Sequence, residues 1–176
     1  MEQECLILDA EDIKRMLTRM AYEILETNKG GKNLALIGIQ TRGIYIARRI
    51  QSIIYNIENL TVPVGDIDIN LYRDDLTQIN HQPIVKPTKI SFSVDGKRII
   101  LMDDVLFTGR TIRAAMDALM DFGRPDHIEL LVLVDRGHRE LPIQADYVGK
   151  FFETERKQMV NVLLSEYDGE DKVIII

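Results

Sequence analysis

"IILMDDVLFTGRT", residues 99–111, decides the fold. Four apolar residues run into two adjacent aspartates, Asp103 and Asp104, and a small-residue turn, Thr108-Gly109-Arg110-Thr111, follows. Beyond it an amphipathic helix is expected over 111–122, ending at Gly123. A short apolar run bounded by a turn reads as a buried strand. A turn that opens a helix presents backbone N–H groups without intrahelical partners, at the positive end of the helix dipole. Thr108 and Thr111 add hydroxyl donors, and Gly109 lets the backbone approach closely. This is a cradle for a phosphate dianion. Two carboxylates would repel that phosphate at contact, so they suit the vicinal hydroxyls of a sugar a short distance away. A ribose 5-phosphate satisfies both halves.

The flanking chain alternates strand and helix. Asp9 can cap a helix with Asp12 in its first turn, and Ile13, Met16, Leu17, Met20, Ile24 and Leu25 then recur at helical spacing. Gly30-Gly31 is expected to close it. Residues 34–39, LALIGI, read as a buried strand. Thr41-Arg42-Gly43 is a turn, and 44–54 a second helix with Arg48 and Arg49 on its wet side. Residues 62–71 alternate as a half-buried strand with a slip at Gly65. Residues 72–87 are polar, contain two prolines and show no period, as in a lid or binding loop. Strands over 89–94 and 98–102 are expected to form a hairpin around Asp95-Gly96. Residues 127–134 form another buried strand, 135–139 a charged loop, and short strands follow near Tyr147, over 160–164 and at the final KVIII. The pattern predicts an α/β domain with a mostly parallel central sheet flanked by helices. Ligands bind beyond the carboxyl ends of such strands, where loops 40–43, 103–111 and 135–139 converge.

Composition sets limits. With 176 residues and 45% hydrophobic content, the chain reads as one globular domain over 1–176. Its formal charge of −6 and pI of about 5.1 argue against wholesale nucleic-acid binding and leave room for a local basic face. Cys5 is the sole cysteine, so no intrachain disulfide forms, which fits a reducing cytosol. The acidic start is not a signal peptide, and no apolar run approaches the roughly 18 residues of a membrane span. A Walker phosphate loop is absent: Gly38 and Gly43 have its spacing, but Ile44 stands where lysine is required.

"IILMDDVLFTGRT" resembles the phosphoribosyl-pyrophosphate signature of type I phosphoribosyltransferases. "IGIQTRG" resembles their pyrophosphate loop. "VDRGHRELPIQADYVGK" is similar to the base-side segment of the PyrR family, pyrimidine operon attenuation regulators with uracil phosphoribosyltransferase activity. The likeness spans nearly the whole chain, "LDAEDIKRMLTRMAYEI" included. It implies the type I phosphoribosyltransferase fold, with a flexible β-hairpin lid loop and a small base-side hood. It also implies roles. Asp103 and Asp104 would hold the ribose hydroxyls. Phe107, Thr108, Gly109, Arg110 and Thr111 would hold the 5-phosphate. Thr41 and Arg42 would hold pyrophosphate, with a strained cis peptide between them. Residues 72–87 would be the catalytic loop, with Arg73 reaching the pyrophosphate and Lys86 a second cation. His81 reads as a polar loop residue. Mg²⁺ would arrive on the diphosphate, with no dedicated metal cage. Uracil would sit near Val105 and the loop carrying Asp135, Arg136 and His138, although Arg136 reads equally as a structural ion-pair partner.

Two functions follow from the resemblance. One is the transfer of phosphoribose from phosphoribosyl pyrophosphate (PRPP) to uracil, giving UMP and diphosphate. The other is UMP- or UTP-dependent binding of pyr-operon leader RNA, with Thr18, Arg19, Tyr22, Arg139 and Lys150 as candidate contacts. Tyr22 stands where the family has histidine and Gln144 where it has a second arginine, so RNA binding is expected to be weaker than in better-matched relatives. A transferase without the regulatory activity and a purine-type transferase are the alternatives. A cytoplasmic homodimer or larger homo-oligomer is implied.

Overall fold

The computed structural model describes residues 4–70 and 88–176. Its elements are β1 (Cys5–Leu8), α1 (Ala10–Asn28), β2 (Leu34–Ile39), α2 (Arg42–Glu58), β3 (Val64–Ile67), β4 (Arg98–Leu106), α3 (Arg110–Met120), β5 (His127–Asp135), β6 (Tyr147–Phe151), β7 (Val160–Leu163), α4 (Ser165–Asp168) and β8 (Lys172–Ile175). Five strands form a parallel sheet in the order β3-β2-β4-β5-β6. A separate antiparallel sheet, β1-β8-β7, joins the two ends of the chain. This second sheet is a small unit beside the parallel one. Sequence periodicity pointed to its two C-terminal strands and missed β1 and α4.

The parallel sheet is buried on both faces because its strands are apolar at successive positions. Leu34, Leu36, Ile100, Met102, Leu131 and Leu133 pack into the cluster shared with α1 and α2. Their neighbours Ala35, Ile37, Ile99, Leu101, Leu130 and Val132 pack into the cluster shared with α3. Side chains alternate across a strand, so one continuous apolar run feeds both layers. In chain order the sheet reads 2-1-3-4-5, and the winding direction reverses between β2 and β4. The carboxyl ends of these two strands therefore flank the crevice where such sheets bind ligands.

Capping explains the start of α1. The Asp9 carboxylate accepts the Asp12 N–H at 2.8 Å, and Asp12 in return accepts the Asp9 N–H at 3.3 Å. At its other end the chain leaves the helix at Lys29, with φ of 55°, one residue before the expected glycine pair. Two glycines allow α2 to start against the sheet. A Cβ on Gly38 would lie 2.3 Å from Ile44 Cα, and one on Gly43 would lie 2.3 Å from the Met102 carbonyl oxygen. No side chain fits at either place.

Several expectations change. The hairpin over 89–94 and 98–102 does not form. A turn does occur at Asp95-Gly96, with the Lys97 N–H donating to the Val94 carbonyl at 3.2 Å. However, β4 is paired in parallel with β2 on one edge and β5 on the other, so no edge remains for a hairpin partner. Lys89 makes only an isolated bridge to Asp66. Arg49 is not on the wet side of α2: it is half-buried and bonded to Glu166 and Asp171. The cis peptide lies at Gln40–Thr41, one bond before the expected place. Asp103 and Asp104 belong to β4 itself, which runs on to Leu106. Arg73, His81, Lys86 and the loop expected over 72–87, including its hairpin lid, lie outside the described residues.

At the far end of the sheet Glu129 organises a polar network. Its carboxylate accepts the Tyr147 hydroxyl at 2.6 Å, Asn28 Nδ2 at 3.1 Å and Arg98 Nη2 at 2.8 Å. Burial pushes its pKa up, but these donors outweigh burial and hold it below the usual carboxylate range. Replacing Glu129 with Ala leaves three polar groups without their shared acceptor. The expected loss, read from denaturant unfolding at neutral pH, is about 2 kcal/mol. A change within about 0.5 kcal/mol, as at an ordinary surface position, refutes the network's role.

Candidate functional site

The carboxyl ends of β2, β3 and β4 enclose a cleft of about 320 Å³. Its walls are Gln40, Thr41 and Arg42 after β2, and Asp68, Ile69 and Asn70 after β3. Asp103, Asp104 and Val105 of β4 and Thr111 of α3 complete it. Six expected residues, Asp103, Asp104, Thr41, Arg42, Thr111 and Val105, thus share one cavity. Gln40 belongs to the loop 40–43 expected to border the ligand, whereas Asp68 and Asn70 were not anticipated. Their alternation with Ile67 and Ile69 matched an ordinary strand, and only the sheet order puts them beside β2.

Local bonds hold these walls. Gln40 Nε2 donates to Asp66 at 2.5 Å, fixing the β2 loop to β3. The Asp68 N–H donates to Thr88 Oγ1 at 3.0 Å, and the Asn70 N–H donates to the Asp68 carboxylate at 3.0 Å. Arg42 donates through Nε and Nη2 to Asp168, at 3.0 and 2.7 Å.

Asp103 and Asp104 carry the electrostatic tension of the site. The Asp103 carboxylate accepts the Asp104 N–H at 2.9 Å, and the Asp104 carboxylate accepts the Val105 N–H at 2.8 Å. Asp103 is 7% exposed. Burial, and then the neighbouring carboxylate of Asp104, push its pKa well above the usual range. Burial also raises Asp104, while bonds from its neighbours and the charge of Arg42 pull the other way. Neither acid has a cationic side chain against it among its described hydrogen bonds. Paired acceptors of this kind gain from hydroxyl donors, which favour the ionised form.

The turn after β4 is braced from behind. Gly109 has φ of 92°, a conformation open to glycine, and starts α3. Thr108 Oγ1 accepts the Arg110 N–H at 3.3 Å, and the Thr108 carbonyl accepts the N–H groups of Glu140 and Leu141 at 2.9 and 3.1 Å. Arg110 Nε donates to Glu140 at 2.8 Å, and Arg156 pairs with the same carboxylate. Phe107 faces the neighbouring loop, with the Arg136 guanidinium 4.0 Å above its ring and His138 at 6.0 Å in an edge-on arrangement.

The sequence pattern of the phosphoribosyl transferase domain matches residues 6–167. Over 99% of this chain and 96% of its own length, the Bifunctional protein PyrR of Pelotomaculum thermopropionicum is 56% identical. A Bifunctional protein PyrR from Listeria monocytogenes serotype 4b is also 56% identical, over 100% of this chain and 98% of its own. The chain belongs to the PyrR family of phosphoribosyltransferases. Solved structures agree on the fold. A hypoxanthine phosphoribosyltransferase of Trypanosoma cruzi superposes with a TM-score of 0.73 at 17% identity, covering 97% of this chain and 94% of that one. One from Staphylococcus aureus gives 0.70 at 22% identity, covering 97% and 90%.

In this PyrR-family chain the base-side candidates divide. Val105 lines the cleft. Asp135 accepts the Gly137 N–H at 2.9 Å and Arg139 Nη2 at 2.6 Å. His138 Nε2 lies 2.6 Å from the Thr154 carbonyl oxygen. The alternative reading of Arg136 as a structural ion-pair partner has no ion pair among its described contacts: Nη2 donates to the Glu155 and Arg156 carbonyls at 3.0 and 3.4 Å. Its Nε is buried without a described partner, and burial lowers its pKa.

The RNA candidates differ in their local contacts. Arg19 donates to Glu23 at 2.8 Å and to the Val148 and Gly149 carbonyls of β6, at 3.1 and 2.7 Å. Thr18 Oγ1 donates to the Lys14 carbonyl at 2.9 Å. Tyr22 is 56% exposed on the same helix, and Lys150 lies over Phe152 on β6. Arg139 is elsewhere. Its guanidinium donates to the carbonyls of Phe107 and Ile143, at 2.7 and 2.9 Å, as well as to Asp135. It staples the turn after β4 to the loop after β5.

The raised pKa of Asp103 sets a pH test. A group titrating higher in the folded state than its ordinary 3.8 adds stability below that value, and this is lost as pH rises through the folded pKa. Asp103→Asn, which keeps an acceptor for the Asp104 N–H, should therefore melt higher than wild type at pH 7–8. The difference should vanish below about pH 4. Calorimetric melting across that range checks it, and a destabilised variant at neutral pH refutes the assignment.

Proposed function

We propose that this chain is a bifunctional PyrR-type protein: a uracil phosphoribosyltransferase that also regulates pyrimidine operon transcription by attenuation, through nucleotide-dependent RNA binding. The observation that carries the transferase half is the meeting, in one cleft, of Asp103 and Asp104, Thr111 of α3 and Arg42. In this reading the two carboxylates accept from the ribose hydroxyls. Phe107, Thr108, Gly109, Arg110 and Thr111 hold the 5-phosphate, using the backbone N–H groups and the dipole of the α3 start. Thr41 and Arg42 hold the diphosphate, and Val105, Asp135, Arg136 and His138 border uracil. Arg73 and Lys86 belong to the loop that closes over the substrates.

Breaking the bond from C1 to the diphosphate leaves positive charge on the sugar, and water must be kept from it. Anchoring both ends of PRPP leaves C1 between them, aligned with uracil, so positioning and electrostatics carry the rate. Among the described residues no group of His, Cys, Asp or Glu is placed as a metal cage. The cleft's carboxylates are hard oxygen donors, which suits an ion held mainly by the ligand. Asp68, Asp103 and Asp104 line the cleft that would receive PRPP with its Mg²⁺, whose charge would offset that of the diphosphate.

UMP or UTP in the same cleft would set the affinity for pyr-operon leader RNA, with Thr18, Arg19, Tyr22 and Lys150 on one face and Arg139 in a bracing role. This reading takes residues 1–176 as one transferase domain in a cytoplasmic homo-oligomer. No described helix is long and apolar enough to cross a membrane.

Three measurements test it. Asp104→Asn removes a charge-assisted acceptor and should lower kcat/KM with uracil and PRPP about 10- to 100-fold, with no loss of melting temperature. Wild type should use uracil and leave hypoxanthine and guanine unreacted; the reverse preference favours the purine-type alternative. Leader RNA should bind more tightly with UMP present, and weaken steeply with salt. Affinity no better than for scrambled RNA at low salt removes the regulatory half and leaves the enzyme.

A further inference from the structure

The geometry points to Asp168, at the end of α4, as a positioning residue for the diphosphate side of the site, acting through Arg42. This rests on the transferase reading above.

Arg42 has five N–H donors in a planar fork. Asp168 takes one edge of it, from Nε and Nη2, at 3.0 and 2.7 Å. The Nη1 hydrogens and the second Nη2 hydrogen are on the remaining sides, and Arg42 lines the cleft that holds Asp103 and Asp104. An acid gripping the side of a guanidinium orients its free end. It does not occupy the place of an anionic ligand in front of it.

Asp168 is itself held. Its carboxylate accepts the Leu164 N–H at 2.8 Å, and its N–H donates to the Leu164 carbonyl at 2.7 Å. The adjacent Tyr167 puts its ring 5.4 Å from the Arg42 guanidinium carbon and 6.4 Å from the ring of Tyr45. Two turns further along α2, Arg49 donates to Glu166 at 2.8 and 2.5 Å, to Asp171 at 2.8 Å from each of two nitrogens, and to Ser165 Oγ at 3.1 Å. Residues seven apart on a helix share a face. Segment 164–171 is therefore zipped to the face of α2 that carries Arg42. The chain-end sheet thus acts as a fixed wall that removes the rotamer freedom a long arginine would otherwise lose on binding.

The test compares steady-state kinetics and diphosphate binding for wild type, Asp168→Asn, Asp168→Glu and Glu166→Gln. Glu166→Gln disturbs the same segment through Arg49 without touching Arg42. Asp168→Asn should raise the KM for PRPP and the Kd for diphosphate about tenfold, the loss of a charge-assisted bidentate pair, with the KM for uracil nearly unchanged. Asp168→Glu should recover part of the loss, and it carries the test if the asparagine variant fails to fold. Glu166→Gln should leave PRPP affinity as in wild type. An unchanged or tighter KM for PRPP in Asp168→Asn overturns the assignment. An equal rise in Glu166→Gln does so too, because the effect would then be general to the segment. Wild type lacking transferase activity counts against the transferase reading instead, and diphosphate binding measured by calorimetry still decides the role of Asp168.

Discussion

β4 is hydrogen-bonded along both edges, with Leu101 opposite Ile37 on one side and Leu130 on the other. Slipping this strand by one residue would turn its buried set inside out and move the acids away from the cleft. Ile99, Ile100, Leu101 and Met102 are fully buried, and each such side chain contributes about 1.5–3 kcal/mol. That is enough to hold Asp103 and Asp104 in a place where they titrate high. Adjacent residues on a strand point to opposite faces, so two consecutive acids can line one cleft only at the strand's end, where the sheet opens between α2 and α3. The tension in the pair is a consequence of the strand's rigidity, and it suits a ligand bearing hydroxyl donors.

The chain is acidic overall, yet the proposed ligand is an anion. The conflict resolves because screening confines each charge to about 8–10 Å, and because the site uses oriented groups. α3 begins just after a glycine with φ of 92°, and a helix start offers N–H groups at the positive end of its dipole. Arg42 and Arg110 each pair with a carboxylate drawn from a distant part of the chain, Asp168 and Glu140. These pairs lower local charge and fix direction. For recognition of a geometrically defined phosphate, direction matters more than net charge.

Much of the scaffold was legible because it rests on local rules. The Asp9–Asp12 cap, the apolar strands at 34–39 and 127–134, and the helix after Gly109 all appear within a residue or two of their expected places. The hairpin at Asp95-Gly96 failed for a tertiary reason: the turn chemistry was right, but both edges of β4 were claimed by strands far away in sequence. Arg49 failed likewise. On a lone helix its position faces water, and only the packing of 164–171 against α2 buries it among three polar partners.

The residue order alone was enough to specify the β4–turn–α3 motif, the paired acids and the family, because each depends on neighbours within about a dozen positions. Other features needed the folded chain. Asp68 and Asn70 enter the cleft only because β3 lies beside β2. Arg139 and Arg136 reveal their bracing contacts only where the loop after β5 meets Phe107. Arg42 meets Asp168 across 126 positions. Contacts at that separation leave no periodicity to read, since they arise from which strands and chain ends the hydrophobic core brings together.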